Sequence, residues 1–291
     1  MLIKNEETLA LPNDGKRRTA SARYQCERLR NNKEKKLNKR KFKVQIPETD
    51  EEVLQGEEQF IIEYNGEKTR VRAHDYDKIY AVPGLYEYLF YDKYKCKSPE
   101  VVCSLLEEEV KKTSMAVSDL KVLDVGAGNG VVGEELKSTG ADTVVGLDII
   151  EEAAEAAERD RPGVYTDYFT EDLTRLPGGV KQKLKKLSPN CLTVVTALGF
   201  DDIPPDAFIE AYNIISEPGW VAFNIKDEFY SPDDRTGFSR LIDQMLDDGI
   251  FYMNAKKRYR HRFCQDGTPL HYYAVVGRKK KDIPASMVLS H

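Results

Sequence analysis

The sequence predicts an α/β protein with a doubly wound, mostly parallel seven-stranded sheet. A reversed C-terminal hairpin closes the sheet, and an N-terminal β-hairpin with a helical cap precedes it. Three observations carry this expectation. From Leu120 onward, short apolar runs alternate with stretches of helical periodicity. A glycine-rich turn, Gly126-Ala127-Gly128-Asn129-Gly130, lies between the first apolar run and its helix. Near the end, residues 259–263 and 270–277 alternate as strands around Asp266-Gly267, which is a hairpin and not a crossover.

Residues 1–58 read as a flexible extension, basic over residues 16–43 and then acidic through Glu48, Asp50, Glu51, Glu52, Glu57 and Glu58. Apolar residues are too sparse there to build a core. Order is expected to begin near Gln59. Phe60, Ile62 and Tyr64 alternate, Asn65-Gly66 suits a tight turn, and Thr69, Val71 and Ala73 alternate again. A tyrosine-rich stretch, residues 76–94, completes a cap over 59–97. Ser98-Pro99 then opens a helix whose buried stripe holds Val102, Leu105, Leu106 and Val110.

The domain proper is expected over residues 98–280, with 281–291 as a tail. Its strands fall at 121–125, 143–147, 165–169, 192–198 and 220–225, followed by the hairpin. Gly140 ends the first crossover helix, and an alanine-rich helix over 151–159 stops before Pro162-Gly163. Pro204-Pro205 opens a helix with Phe208, Tyr212 and Ile215 on one face. Phe238, Leu241, Ile242, Met245 and Leu246 mark a strongly amphipathic helix.

Composition narrows the function classes. The chain has 291 residues, 41% hydrophobic and 32% charged, with a formal net charge of −5, which argues against a general polyanion binder. No apolar run approaches the ~18 residues of a membrane span, so no membrane partner is expected. Five cysteines without C-x-x-C spacing argue against a zinc site or disulfide framework. A cytoplasmic protein is the expectation, with a nuclear one as the alternative from the basic run at residues 33–43.

The glycine turn has two readings. A dinucleotide fingerprint, G-x-G-x-x-G, would place its third glycine where Val131 stands; here Gly130 comes one residue early. Asp124 brings a carboxylate that repels pyrophosphate and tolerates a cation. The spacing D-x-G-x-G-x-G, with the reversed final hairpin, resembles class I S-adenosylmethionine (SAM) dependent methyltransferases of Rossmann-like fold. The resemblance covers residues 98–279 and implies SAM as cofactor. It implies that Asp124, Gly126, Ala127 and Gly128 receive the amino-acid part of SAM and that Asp148 accepts from the ribose hydroxyls. Ile149, Asp172, Leu173 and Ala197 would flank adenosine, with Asp172 accepting from the adenine amino group. Asp148 ends its strand 22 residues after Gly126, which suits NAD as well and does not discriminate.

The methyl acceptor is less legible. The D/N-P-P-Y/F signature of methylation at planar nitrogens is absent: Ala197-Leu198-Gly199-Phe200 stands there. Asp201 and Asp202 follow as candidates for a base or substrate clamp, and Tyr80 as a candidate from the cap. His261 and His271 read as structural. A small-molecule or peptidic substrate with an O, N or C nucleophile is the leading expectation. The alternatives are an RNA- or ribosomal-protein-directed enzyme recruited by the basic arm, and a non-catalytic methyltransferase-like binding subunit.

Overall fold

A computed structural model describes residues 41–47, 55–199, 202–231 and 233–287. Most of the basic arm, together with Phe200 and Asp201, lies outside the described residues. Two sheets organise the chain. The first is antiparallel, in the order β1 (Phe42–Gln45), β2 (Gln59–Tyr64) and β3 (Glu67–Arg72). The second has seven strands: β4 (Lys121–Val125), β5 (Thr143–Asp148), β6 (Asp167–Thr170), β7 (Cys191–Val194), β8 (Gly219–Lys226), β9 (Phe251–Phe263) and β10 (Pro269–Lys279). Their spatial order is β6-β5-β4-β7-β8-β10-β9. The first five pair in parallel, and β10 runs antiparallel between β8 and β9. The expected architecture is therefore present.

Helices cover both faces, and the strand residues show why. On β4, Val122 packs into one cluster with Leu106, Val132 and Trp220. Its neighbour Leu123 points to the opposite cluster, with Phe208, Tyr212 and Phe238. A strand buried on both faces reads as a continuous apolar run, as β4, β5 and β7 do. The first cluster is roofed by α2 (Ser98–Lys111) and α3 (Val131–Thr139). The second lies under α5 (Gly178–Leu187), α6 (Pro205–Ile214) and α7 (Phe238–Asp247).

Several expectations need correction. Residues 42–45 belong to a strand, not to a flexible extension: Phe42 opposes Tyr64, and Phe42 is buried with Phe60 and Ile62. Two apolar residues at alternate positions, Phe42 and Val44, are all the signal this strand has, and the surrounding lysines hide it. The tyrosine-rich segment is not one helix. It forms α1 (Tyr76–Tyr80), a turn at Gly84 with φ +76°, and a π-helical stretch, Glu87–Lys93. The strand expected over 192–198 stops at Val194, because Thr196 and Gly199 adopt φ of +61° and +89°. The strand expected from 165 begins at Asp167. Helix α5 has no counterpart in the sequence reading. It opens on two glycines and buries only Leu184 fully, so its periodicity is faint.

Glu58 was expected on a solvated acidic patch, and it is instead fully buried. Its carboxylate accepts from Arg262 Nη1 at 3.0 Å and Nη2 at 2.5 Å, and from the Gln265 N–H at 2.8 Å. This bidentate pair ties the strands of the cap to the turn of the β9–β10 hairpin, while the guanidinium sits over the rings of Phe90 and Tyr94. Removing one partner of a buried pair strands the other charge. Glu58→Leu is expected to cost about 3–5 kcal/mol in urea denaturation. Glu58→Leu with Arg262→Met is expected to cost less than the single change, and a neutral single variant would refute this role.

Candidate functional site

The candidate site forms where the carboxyl ends of β4, β5 and β7 meet the cap. After Val125 the chain turns through Gly126, Gly128 and Gly130, with φ of +69°, +53° and +87°. These values exclude ordinary side chains at low cost. Space excludes them too: a Cβ on Gly126 would fall 2.7 Å from the Ala197 Cβ, and one on Gly128 would fall 2.5 Å from the Tyr80 hydroxyl.

Two carboxylates lock the turn from below. Asp148 is 8% exposed; its Oδ2 accepts the Gly128 N–H at 2.8 Å and its Oδ1 accepts the Ile150 N–H at 3.0 Å. Asp124 is 1% exposed, with Oδ1 accepting from Thr193 at 2.7 Å and Oδ2 from the Tyr165 hydroxyl at 2.7 Å. Tyr168 donates to the Gly128 carbonyl at 2.9 Å. Burial pushes the Asp124 carboxyl up to about 7, partly offset by Thr193 and Tyr165, with the Asp148 charge adding to the rise. Burial likewise raises Asp148.

Each expected site residue can now be placed. Ala127 lies buried within the turn, its carbonyl accepting from Tyr165 at 3.2 Å. Ile149 is 60% exposed at the end of β5. Asp172 caps a short 3-10 turn, Leu173–Arg175, accepting from the Thr174 N–H and hydroxyl and from Arg175, with Leu173 buried behind it. Ala197 touches the glycine turn. Tyr80 is buried on Ala153 and Ala156 of α4 (Glu151–Asp160) and covers Gly128. Burial raises its phenol well above the ordinary range, so it is not a base at neutral pH. Asp202 approaches His74 Nδ1 at 3.8 Å, and His271 sits in the hairpin register opposite Arg260. Among these, the structure brings Asp124, Gly126, Ala127, Gly128, Asp148, Ala197 and Tyr80 together around one turn. Asp124 differs from expectation in direction: its oxygens are engaged beneath the turn and do not lie open above it.

The residues fit a SAM molecule. The glycine turn offers backbone that no Cβ shields, two acids place negative charge beneath it, and an apolar side chain beside Asp148 stands out into solvent. An exposed isoleucine next to a buried acid is the complement of a ring bonded to a hydroxylated sugar.

Sequence reasoning missed Tyr165 and Tyr168 as supports of the turn. A signal exists. Gly133 inside α3 and Gly146 inside β5 each leave room for these rings, with Cβ positions 2.9 Å from Tyr165 and 2.8 Å from Tyr168. Glycine within a regular element marks such close approach.

A second feature lies beside the turn. A small chamber of about 30 Å³ opens between the cap and the β9–β10 hairpin, lined by His74, Tyr76, Tyr86, Cys96, Thr196, His261 and Tyr272 among others. His261 is buried against the Tyr272 ring, with centroids 4.2 Å apart. The cap is bolted to the glycine turn beside it. Arg161 Nη1 donates to Glu87 Oε1 and to the Asn129 carbonyl, while Asn129 Nδ2 donates to the same Glu87 oxygen.

The raised Asp124 sets a pH dependence. Its folded carboxyl binds a proton more tightly than the unfolded one, so its contribution is full below about pH 4 and lost as the pH rises through 7. The shift corresponds to roughly 4 kcal/mol. Asp124→Asn is expected to remove this slope. Urea midpoints of the two proteins should diverge in favour of the variant between pH 5 and 8, and a constant difference over that range would count against the buried-charge assignment.

Residues 123–223 match the sequence family described as a methyltransferase domain. No curated protein matches the chain. Similar solved structures include a SAM-dependent methyltransferase from Methanosarcina mazei, 16% identical, with TM-score 0.43, covering 60% of this chain and 98% of that one. Others are a ribosomal protein L11 methylase from Lactobacillus delbrueckii subsp. bulgaricus (18%, 0.41, 62% and 78%) and a SAM-dependent methyltransferase from Mesorhizobium loti (17%, 0.41, 59% and 96%). Likeness at this level says nothing of the substrate. The family match falls on the strands, acids and glycine turn described above, and over residues 123–223 the chain carries a methyltransferase domain.

Proposed function

We propose that the enzyme moves a methyl group from SAM to an O, N or C nucleophile of a small-molecule or peptidic substrate, one small polar group of which reaches into the chamber between the cap and the terminal hairpin. The observation that carries this reading is the enclosure of that chamber. Its lining is aromatic and imidazole-rich, and its one guanidinium, Arg262, is paired with Glu58. At about 30 Å³ the chamber takes one small, weakly charged group at the end of a substrate and not a phosphate backbone.

In this reading the glycine turn and Asp148 hold the ribose and amino-acid parts of the donor. Ile149 and Leu173 flank adenine, and Asp172 accepts from its amino group. Asp124 acts through its charge from beneath the turn. SAM supplies a methyl group already activated on a sulfonium, so alignment accounts for much of the rate. The cap excludes water, held shut by Arg161 across Glu87 and Asn129 and by Arg159 Nη2 on the Tyr80 carbonyl at 3.0 Å. Tyr80 covers the donor side and transfers no proton. Asp202, 3.8 Å from His74 Nδ1, clamps the acceptor, and Asp201, the other candidate, lies outside the described residues.

Two measurements test this. Calorimetry should show SAM binding, weakened at least tenfold by Asp148→Ala, since an acceptor and a lock on Gly128 are both lost; absent binding would favour a non-catalytic subunit. Incubation of cell extract with methyl-labelled SAM should place label in the small-molecule or peptide fraction. Label confined to RNA or ribosomal protein, and lost on deleting residues 1–40, would replace the proposal with recruitment by the basic arm.

A further inference from the structure

A closed set of hydrogen bonds lies behind the chamber wall. Asn224 on β8 accepts the Thr196 N–H on Oδ1 at 2.6 Å, which fixes the orientation of its amide. Its Nδ2 donates to Ser98 Oγ at 3.1 Å and to the Tyr259 hydroxyl at 2.8 Å. Ser98 Oγ also lies 2.6 Å from the Tyr259 oxygen and 2.6 Å from His261 Nδ1. Cys96 Sγ approaches the same nitrogen at 3.7 Å.

Counting hydrogens assigns the tautomer. Both hydrogens of Asn224 Nδ2 are spent. If Tyr259 donates to Ser98, then Ser98 donates to Nδ1 and every hydroxyl hydrogen has an acceptor. If Nδ1 carried the hydrogen instead, Ser98 would donate to Tyr259, and the Tyr259 hydrogen would find no acceptor among the described residues. A buried hydroxyl without an acceptor costs about 1–3 kcal/mol, enough to decide between the two. The imidazole proton therefore resides on Nε2. Ser98 is not part of the chamber lining, whereas His261 is.

We propose that His261 is a specificity-determining residue of the acceptor side, its Nδ1 closed by Ser98 and its Nε2–H offered to the chamber as a hydrogen-bond donor. The inference rests on the chamber being the acceptor site. Burial, with Arg262 and Arg260 nearby, also holds the ring well below the ordinary imidazole range, so it stays neutral. A neutral ring protonated on Nε2 cannot take a proton from the substrate. The class of substrate follows: a compound that presents an oxygen or nitrogen lone pair to Nε2–H and brings a nucleophile needing no deprotonation by this histidine.

The chain has four histidines, so nitrogen-15 spectra of the full-length protein labelled at histidine can be assigned by substitution. His261 should show a protonated Nε2 and an unprotonated Nδ1, and Ser98→Ala should relax that preference. A protonated Nδ1, or an unchanged tautomer in Ser98→Ala, overturns the assignment. The chamber of about 30 Å³ admits a water, so the Nε2–H should exchange with solvent, and an Nε2–H protected as strongly as the core amides overturns the donor role. His261→Gln should leave SAM affinity within twofold by calorimetry, and a loss beyond tenfold would put the residue on the donor side. Label found only in RNA would defeat the chamber reading and leave the tautomer standing, so the two failures are distinguishable.

Discussion

Everything at the site depends on burying two carboxylates beneath one glycine turn. A carboxylate out of water is costly unless hydrogen bonds replace its hydration. Asp148 meets that cost with the N–H groups of Gly128 and Ile150, and Asp124 with the hydroxyls of Thr193 and Tyr165. The arrangement fixes backbone that three positive-φ glycines would otherwise leave loose. It also stores repulsion, because the Asp148 charge raises the proton affinity of Asp124. A ligand carrying positive charge relieves that repulsion, and one carrying phosphate adds to it. The preference for a sulfonium and ammonium donor over a dinucleotide is thus a property of what lies under the turn.

The cap is part of this site and not an appendage. Four tyrosines form a chain of ring contacts from Tyr76 through Tyr80 and Tyr86 to Tyr91, with centroids 5.1 to 6.1 Å apart. Such contacts tolerate small displacements. Two of the anchors are ionic: Arg161 on Glu87 beside the glycine turn, and Arg262 on Glu58 beside the terminal hairpin. The π-helical stretch, Glu87–Lys93, carries the Glu87 anchor, and irregular helix of this kind recurs where function displaces regular geometry.

Much of the architecture was legible in the sequence because its signals are local. Apolar runs of four or five residues, Gly140 after a helix, and Asp266-Gly267 in a hairpin each declare themselves within a short window. The glycine turn and the acids ending β4 and β5 were legible for the same reason. What escaped was set by partners distant in the chain. Glu58 reads as one more acid in an acidic patch until Arg262 arrives some two hundred residues later. Ser98 reads as a helix cap, and its hydroxyl is committed instead to Tyr259 and His261. β1 is hidden by the lysines in and before it, of which Lys43 pairs with Glu63 across the strands.

Thr196 lies between the glycine turn and the chamber of His261. Its φ of +61° is unfavourable for a β-branched residue and persists only where neighbours impose it. Asn224 does so through a 2.6 Å bond to its N–H, made by the same amide that orders Ser98 and Tyr259. The next residue, Ala197, presses on Gly126. One amide on β8 therefore holds the wall of the glycine turn on one side and sets the tautomer of His261 on the other. A strained residue between two sites is economical if both must be in register at once, and transfer of a methyl group demands that register. Nucleophile, carbon and sulfur have to lie in line, and a misplacement of an ångström costs about a hundredfold in rate. The Asn224 network supplies a rigid connection between the glycine turn and the chamber proposed to receive the acceptor group.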